Sequence, residues 1–149
     1  MILGIGTDLM EIDRIAASHA RFGSRFLNRI YTASEQAYCL SKKQSAESLA
    51  ARFAAKEAAA KALGTGISYG VAWPEIEVVR LRSGKPTLQL HGRAAALAER
   101  MGVVRMHLSL THSRSTALAV VVFEDEAGGA AGIGGPILNQ FGFRENNQS

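Results

Sequence analysis

Apolar and polar positions along this chain follow two periods, and each period marks a different kind of element. The opening ILGIGTDL, Ile2 to Leu9, is apolar and punctuated by glycine. It predicts a buried first strand in which Gly4 and Gly6 let another backbone or a ligand come close. Beyond it Ile12 and Ile15, then Phe22, Phe26 and Ile30, recur at helical spacing, and Gly23 predicts a break between two short helices. Thr32 followed three residues later by Glu35 reads as a capping box that opens a helix toward Leu40. Residues 46–63, AESLAARFAAKEAAAKAL, give the strongest helical signal, since alanine and straight-chain residues dominate and Gly64 supplies the stop. So many alanines leave a thin helix surface. The helix is therefore expected to lie close against a sheet, with Leu49, Phe53 and Leu63 as its larger core contacts.

After the glycine-rich connection 64–70, residues 75–82 alternate charged with apolar at period two. Ser83 to Pro86 then turn the chain into a second strand, which makes a hairpin. Residues 92–102 predict a short helix ended by Gly102, and VRMHLSLTH and TALAVVVFE predict a second strand pair linked through the polar segment 113–115. Strands in antiparallel pairs with helices inserted give an α+β fold, mostly antiparallel around a long central alanine-rich helix. From Asp125 the text turns glycine-rich and poor in large apolar residues. It divides the chain into a domain of residues 1–124 and a flexible tail of residues 125–149.

Composition narrows the class. A length of 149 residues suits one core, and 47% apolar with 20% charged residues excludes a disordered chain. The single cysteine, Cys39, excludes an intrachain disulfide, and no histidines stand at zinc-ligand spacing, which points to a reducing compartment, the cytoplasm. The start has no basic region and meets Asp8 before any long apolar run, so neither a signal peptide nor membrane insertion is expected and Met1 reads as the mature start. Charge is uneven. Residues 1–123 hold 16 of the 17 lysines and arginines and 9 of the 13 acids, a net of +7, against −3 for the remainder. A basic domain implies a polyanionic partner, whether nucleic acid, a phosphorylated cofactor or an acidic protein.

Among the acids, Asp8 at the end of the first strand and Glu57 in the middle of the alanine-rich helix could share a metal ion. Magnesium is typically held by one or two carboxylates plus phosphates and waters. Each residue has a plainer reading, Asp8 as a turn or helix-initiating residue and Glu57 as the partner of Lys61 four positions on. Were Glu57 a ligand, Lys61 on the same face would reach the same phosphate, while Arg52 lies on a different side and could reach a second anion. Thr111, His112 and Ser113 at a strand end could bind phosphate or adenine edges. A hydrolase using His112 with Ser109 or Ser113 is the rival there, although no orienting acid is evident. Arg14, Arg21, Arg25 and Arg29 form a basic ridge with no acid between Arg14 and Ile30. It reads either as a solvated face or as a docking surface for an acidic helix, with Phe22 or Phe26 as an apolar anchor. The lysines and arginines of the alanine-rich helix stand close to acids and among alanines, without the interleaved aromatics of a nucleic-acid groove. A non-enzymatic basic binding module for nucleic acid or an acidic protein is nonetheless the alternative from another class.

GIGTDLMEIDRI at the start, RFAAKEAAAKALGTGI in the middle and LSLTHS near the end together resemble the holo-acyl-carrier-protein synthase family, the bacterial small-subunit class of phosphopantetheinyl transferases. The resemblance runs in order from Met1 to about Glu124. It takes in TASE at Thr32 to Glu35, WPEIEV at Trp73 to Val78 and GKP at Gly84 to Pro86. It implies the 4'-phosphopantetheinyl transferase fold and transfer of phosphopantetheine from coenzyme A to a serine of an acyl carrier protein in fatty acid biosynthesis. Asp8 and Glu57 then look like magnesium ligands and Lys61 like the contact to the coenzyme A diphosphate, with the general base open between Glu57 and a water. The positions of Arg52, Gly64, Pro86, Thr111 and His112 would lie near the adenosine bisphosphate. Arg14, Arg21, Arg25 and Phe26 would dock the acidic carrier helix. The resemblance also implies a homotrimer with active sites between subunits.

Overall fold

A computed structural model describes residues 1–67 and 70–127. The first strand is β1, Ile2–Glu11, longer than its apolar stretch because it pairs antiparallel with β5, Thr116–Glu124, from Ile2 opposite Glu124 to Glu11 opposite Thr116. Strand β4, Arg105–His112, pairs with the other edge of β5, so the order in this sheet is β1-β5-β4. Strands β2, Ile76–Arg80, and β3, Pro86–Leu90, form the expected hairpin as a separate pair, and Pro86 is the first residue of β3 rather than part of the turn. Helices α1, Ile12–Phe22, and α2, Ser24–Ile30, part at Gly23, whose φ of 55° favours glycine. Helix α3, Ala33–Leu40, opens on the capping box of Thr32 and Glu35. Helix α5, Gly92–Met101, ends on left-handed Gly102. The α+β reading holds.

Helix α4, Ser45–Ala62, runs through the middle, with β1 and β5 on one side and α1, α3 and β2 around the others. Its alanines let it approach β1 at backbone distance. A Cβ placed on Gly6 would overlap the Ala58 carbonyl oxygen, and one on Gly4 would overlap that of Ala62. Leu49 and Leu63 are buried as expected, but Phe53 is only partly so, because its ring faces a groove described below. Two apolar clusters result. One joins α4 to both sheets and α5, and the other joins α4 to α1, α2 and α3.

One charged pair is sealed inside. Lys56 Nζ donates to Glu35 Oε1 at 2.7 Å and to the carbonyls of Ile76 at 2.5 Å and Trp73 at 3.2 Å, and both side chains are fully buried. Glu35 also accepts from the Thr32 and Val78 amides, so the pair has partners on every side. Nothing in the sequence singled out Lys56. Burial pulls its ammonium below the usual lysine range, and the Glu35 charge opposes that pull.

The chain does not simply fray after β5. The amino group of Met1 pairs with Asp125 Oδ1 at 2.7 Å, the Asp125 amide donates to the Met1 carbonyl at 3.0 Å, and Arg105 holds the Asp125 carbonyl at 2.5 Å. The rest of the tail from residue 128 lies outside the described residues.

Gly6→Ala forces β1 and α4 apart along a contact with no side chain to yield. The expected cost is about 3 kcal/mol, read as a lower urea midpoint at unchanged slope, and a loss below about 1 kcal/mol would show that the two backbones can separate freely.

Candidate active site

Alternation along β1 turns Gly4, Gly6 and Asp8 to the same face, toward α4. Asp8 thus stands in the body of the strand, neither in a turn nor at a helix start. Its side chain is 15% exposed. Lys61, in the last turn of α4, donates to Asp8 Oδ1 at 3.2 Å and to the Thr7 carbonyl at 2.9 Å. The lysine therefore pairs with Asp8 and not, as the helix spacing allowed, with Glu57. Glu57 sits one turn before Lys61 on the same side of α4. Burial raises the Asp8 carboxyl above its ordinary range against the bond from Lys61. Burial also raises Glu57, and the nearby charge of Asp8 raises it further.

Asp8 Oδ2 is buried with no hydrogen-bond partner. A buried lone carboxylate oxygen beside a second carboxylate is a site short of positive charge, and hard oxygen donors of this kind suit a hard divalent cation. Among the described residues no group of three or more His, Cys, Asp or Glu gathers in one place. An ion here would take two carboxylates and complete its shell with water or phosphate oxygens, which is how magnesium is commonly bound. The residues fit such an ion.

The other predicted site residues do not converge on this pair. Arg52, five residues before Glu57, projects about 140° away around α4. It is 4% exposed, its guanidinium lies 4.3 Å over the Tyr38 ring, and its Nε has no hydrogen-bond partner. With Tyr38, Ser34 and Arg80 it lines a cavity of about 170 Å³. Pro86 opens β3 opposite Arg80. Gly64 adopts φ 85° just beyond α4, where Thr65 and Gly66 both donate to the Ala60 carbonyl and close the helix end.

Thr111 and His112 end β4 and, with Leu9 and Ser113, line a shallow depression of about 210 Å³. His112 has an acid after all, since Glu47 of α4 lies 3.4 Å from its Nε2. No serine joins it. Ser113 Oγ accepts from the Ser115 and Thr116 amides, and Ser109 points to the sheet's outer face, which leaves the hydrolase reading without a nucleophile.

On α1 and α2, Arg14, Arg21 and Arg25 are exposed and Phe26 is half-buried. A groove of about 430 Å³ runs beside them, walled by Phe22 and Phe26 with Arg25 and Arg29 on one side and by Phe53 and Trp73 on the other. Phe53 lies one turn before Glu57, so groove and carboxylate share one stripe of α4. Sequence reasoning placed Phe53 in the core and gave Trp73 no role. Its tilted contact with Phe53, 4.5 Å between ring centroids, joins residues twenty positions apart and had no local signal.

Residues 4–121 match the family model described as the 4'-phosphopantetheinyl transferase superfamily. The chain is 54% identical over 125 residues to the holo-[acyl-carrier-protein] synthase of Koribacter versatilis (strain Ellin345), covering 84% of this chain and 100% of that one. It is similar to the crystal structure of holo-[acyl-carrier-protein] synthase from Neisseria meningitidis, with a TM-score of 0.76, 40% identity and coverage of 84% and 100% of the two chains. A synthase from Bacillus anthracis, solved in complex with CoA (3',5'-ADP), gives a TM-score of 0.69 at 38% identity over 85% and 99%.

Because burial raises both carboxyls and the charge of Asp8 raises Glu57 further, the folded ion-free protein binds more protons than the unfolded chain between the ordinary carboxylate range and the raised values. Stability falls as pH rises through that window, and the penalty persists at neutral pH. Glu57→Gln should therefore raise the melting temperature at pH 7 in chelator by about 2–4 °C. An unchanged or lower melting temperature would mean the two carboxylates do not strain the fold.

Proposed function

The chain belongs to the 4'-phosphopantetheinyl transferase superfamily, and from that premise we propose how its residues carry out the transfer. It is an enzyme that moves the 4'-phosphopantetheine moiety of coenzyme A to a serine of an apo-acyl carrier protein, releasing adenosine 3',5'-bisphosphate. We assign that reaction to Asp8, Glu57 and Lys61. The observation that carries the assignment is the buried, unpartnered Asp8 Oδ2 facing α4 beside Glu57, with Lys61 as the cation at hand.

In this reading Asp8 and Glu57 would hold magnesium, which would offset the charge of the diphosphate. Lys61, 52% exposed, swings its ammonium from Asp8 to a phosphate oxygen. The serine oxygen of the carrier attacks the phosphorus bearing pantetheine, the bond from that phosphorus to the leaving bisphosphate oxygen breaks, and the serine proton passes to Glu57. Its two oxygens would allow Glu57 to hold an ion through one and accept the proton through the other.

Carrier docking falls to Arg14, Arg21, Arg25 and Phe26, because the aromatic groove beside them leads along α4 toward Glu57 and the arginines complement an acidic helix. Arg52, Gly64, Pro86, Thr111 and His112 contact the adenosine bisphosphate. Arg52 supports this with a buried guanidinium that lacks an anion. In one chain Arg52 projects about 140° round α4 from Glu57, so the proposed site draws on neighbouring subunits of a homotrimer. The outer face of the β1-β5-β4 sheet suits such an assembly. Ile5 and Leu9 are 62% and 61% exposed there, beside half-buried Leu118, Val120 and Val122. The enzyme is assigned to the cytoplasm and to fatty acid biosynthesis. No helix among the described residues is long and apolar enough to cross a membrane. The family match sets aside the non-enzymatic basic module.

Intact-mass measurement of an apo-acyl carrier protein incubated with coenzyme A and magnesium should show a gain of one phosphopantetheine, abolished by chelator. Glu57→Gln should slow the gain by about 100-fold or more, and near-normal turnover at saturating magnesium would remove Glu57 from the mechanism. For the assembly, Ile5→Glu should leave the subunit folded but shift light scattering from trimer to monomer mass. A mass unchanged by that charge would show that the sheet face is not the interface.

A further inference from the structure

Lys56 and Glu57 are neighbours on α4, yet they face different parts of the molecule. Glu57 looks to Asp8, whereas Lys56, about 100° round the helix, is fully buried against α3 and the start of β2. Its ammonium is bonded to the carbonyls of Trp73 and Ile76, which bracket the 3-10 turn Trp73–Glu75, and to Glu35. Trp73 in turn packs on Phe53, and the two rings form one wall of the groove whose other wall is Phe22, Phe26 and Arg25. Apolar residues of similar volume could fill the same space, but they would leave the buried carbonyls of Trp73 and Ile76 without this donor. What the lysine adds is two bonds to carbonyls of this turn, which no apolar side chain can make.

We propose that Lys56 is a positioning residue for carrier docking, which holds the Trp73 turn at the height where its ring closes the groove. This rests on the reading of the groove as the carrier surface. Lys56 then sets affinity for the carrier and leaves the phosphate chemistry to Asp8, Glu57 and Lys61. Glu35 Oε1 aims the ammonium, while its other oxygen accepts from the Val78 amide of β2.

The test is the double variant Glu35→Gln with Lys56→Met, which removes both charges together and leaves no buried ion alone. Unfolding should stay cooperative. The KM for apo-acyl carrier protein should rise about tenfold while kcat and the KM for coenzyme A stay within about twofold. Trp73 is the single tryptophan of the chain, so its fluorescence change on carrier titration should move to carrier concentrations about tenfold higher. A folded double variant with an unchanged carrier KM, or one that loses kcat at an unchanged carrier KM, would overturn the proposal. Arg25→Glu separates the two layers. If it raises the carrier KM and the double variant does not, only the role of Lys56 fails; if neither raises it, the docking reading itself is wrong. Should the double variant not fold, Trp73→Ala deletes the wall that Lys56 holds and carries the same expectation, and a normal carrier KM in that variant overturns the proposal.

Discussion

The contact between β1 and α4 is the constraint on which the other features depend. Two glycines of the strand meet two carbonyls of the helix with no side chain between them. This distance explains why α4 is built from alanine, since larger residues would hold the layers apart. It also explains how one strand carboxylate and one helix carboxylate come to influence each other. Asp8 follows Gly6 by two residues, on the face turned to the helix, and Glu57 precedes Ala58, the residue that Gly6 touches. Glycine, carboxylate and helix position are therefore one design, and a change in any of them moves the others.

The same helix carries two lysine-carboxylate pairs with opposite physics. Lys56 and Glu35 are sealed, and every polar atom of the pair has a partner, so the cost of burying two charges is offset by hydrogen bonds to backbone on both sides. Lys61 and Asp8 are left open, with a longer separation, a half-exposed lysine and one carboxylate oxygen without a partner. The first arrangement fixes backbone and has no capacity left for a ligand. The second has unspent capacity, and the direction of both carboxyl shifts shows that the fold alone does not satisfy it. Unsatisfied charge next to fully satisfied charge is what distinguishes the proposed reactive site from its scaffold.

Most of the fold was legible because its signals were local. The alanine run, the Thr32–Glu35 capping box, the break at Gly23 and both hairpins each lie within a few residues, and each appears where the pattern puts it. What was hidden depends on residues far apart in the chain. The length of β1 comes from pairing with β5, more than a hundred residues on, and the binding of Asp125 to Met1 joins the two ends of the fold. Lys56 is a case of its own. A lysine in an alanine-rich helix reads as solvated, and its burial depends on Glu35, whose capping role explained it well enough that a second role drew no notice. Asp8, Glu57 and Lys61 were named from the sequence, but the bond of Lys61 to Asp8 instead of Glu57 needed the strand beside the helix to be seen.

The candidate groups leave α4 in different directions, and this bears on why the fold would work as an assembly. Glu57 and Lys61 face Asp8 on β1, Arg52 faces Tyr38 of α3, and His112, on β4, meets the first turn of the helix through Glu47. A rigid helix cannot turn residues about 140° apart toward one ligand. A buried guanidinium with a free Nε is therefore of little use to the carboxylate pair of its own chain. In the proposed assembly another copy, seated on the outer sheet face where Ile5 and Leu9 are bare to solvent, would supply the missing groups. In the proposed trimer, burial of that face would remove from water an apolar surface that an isolated subunit leaves exposed.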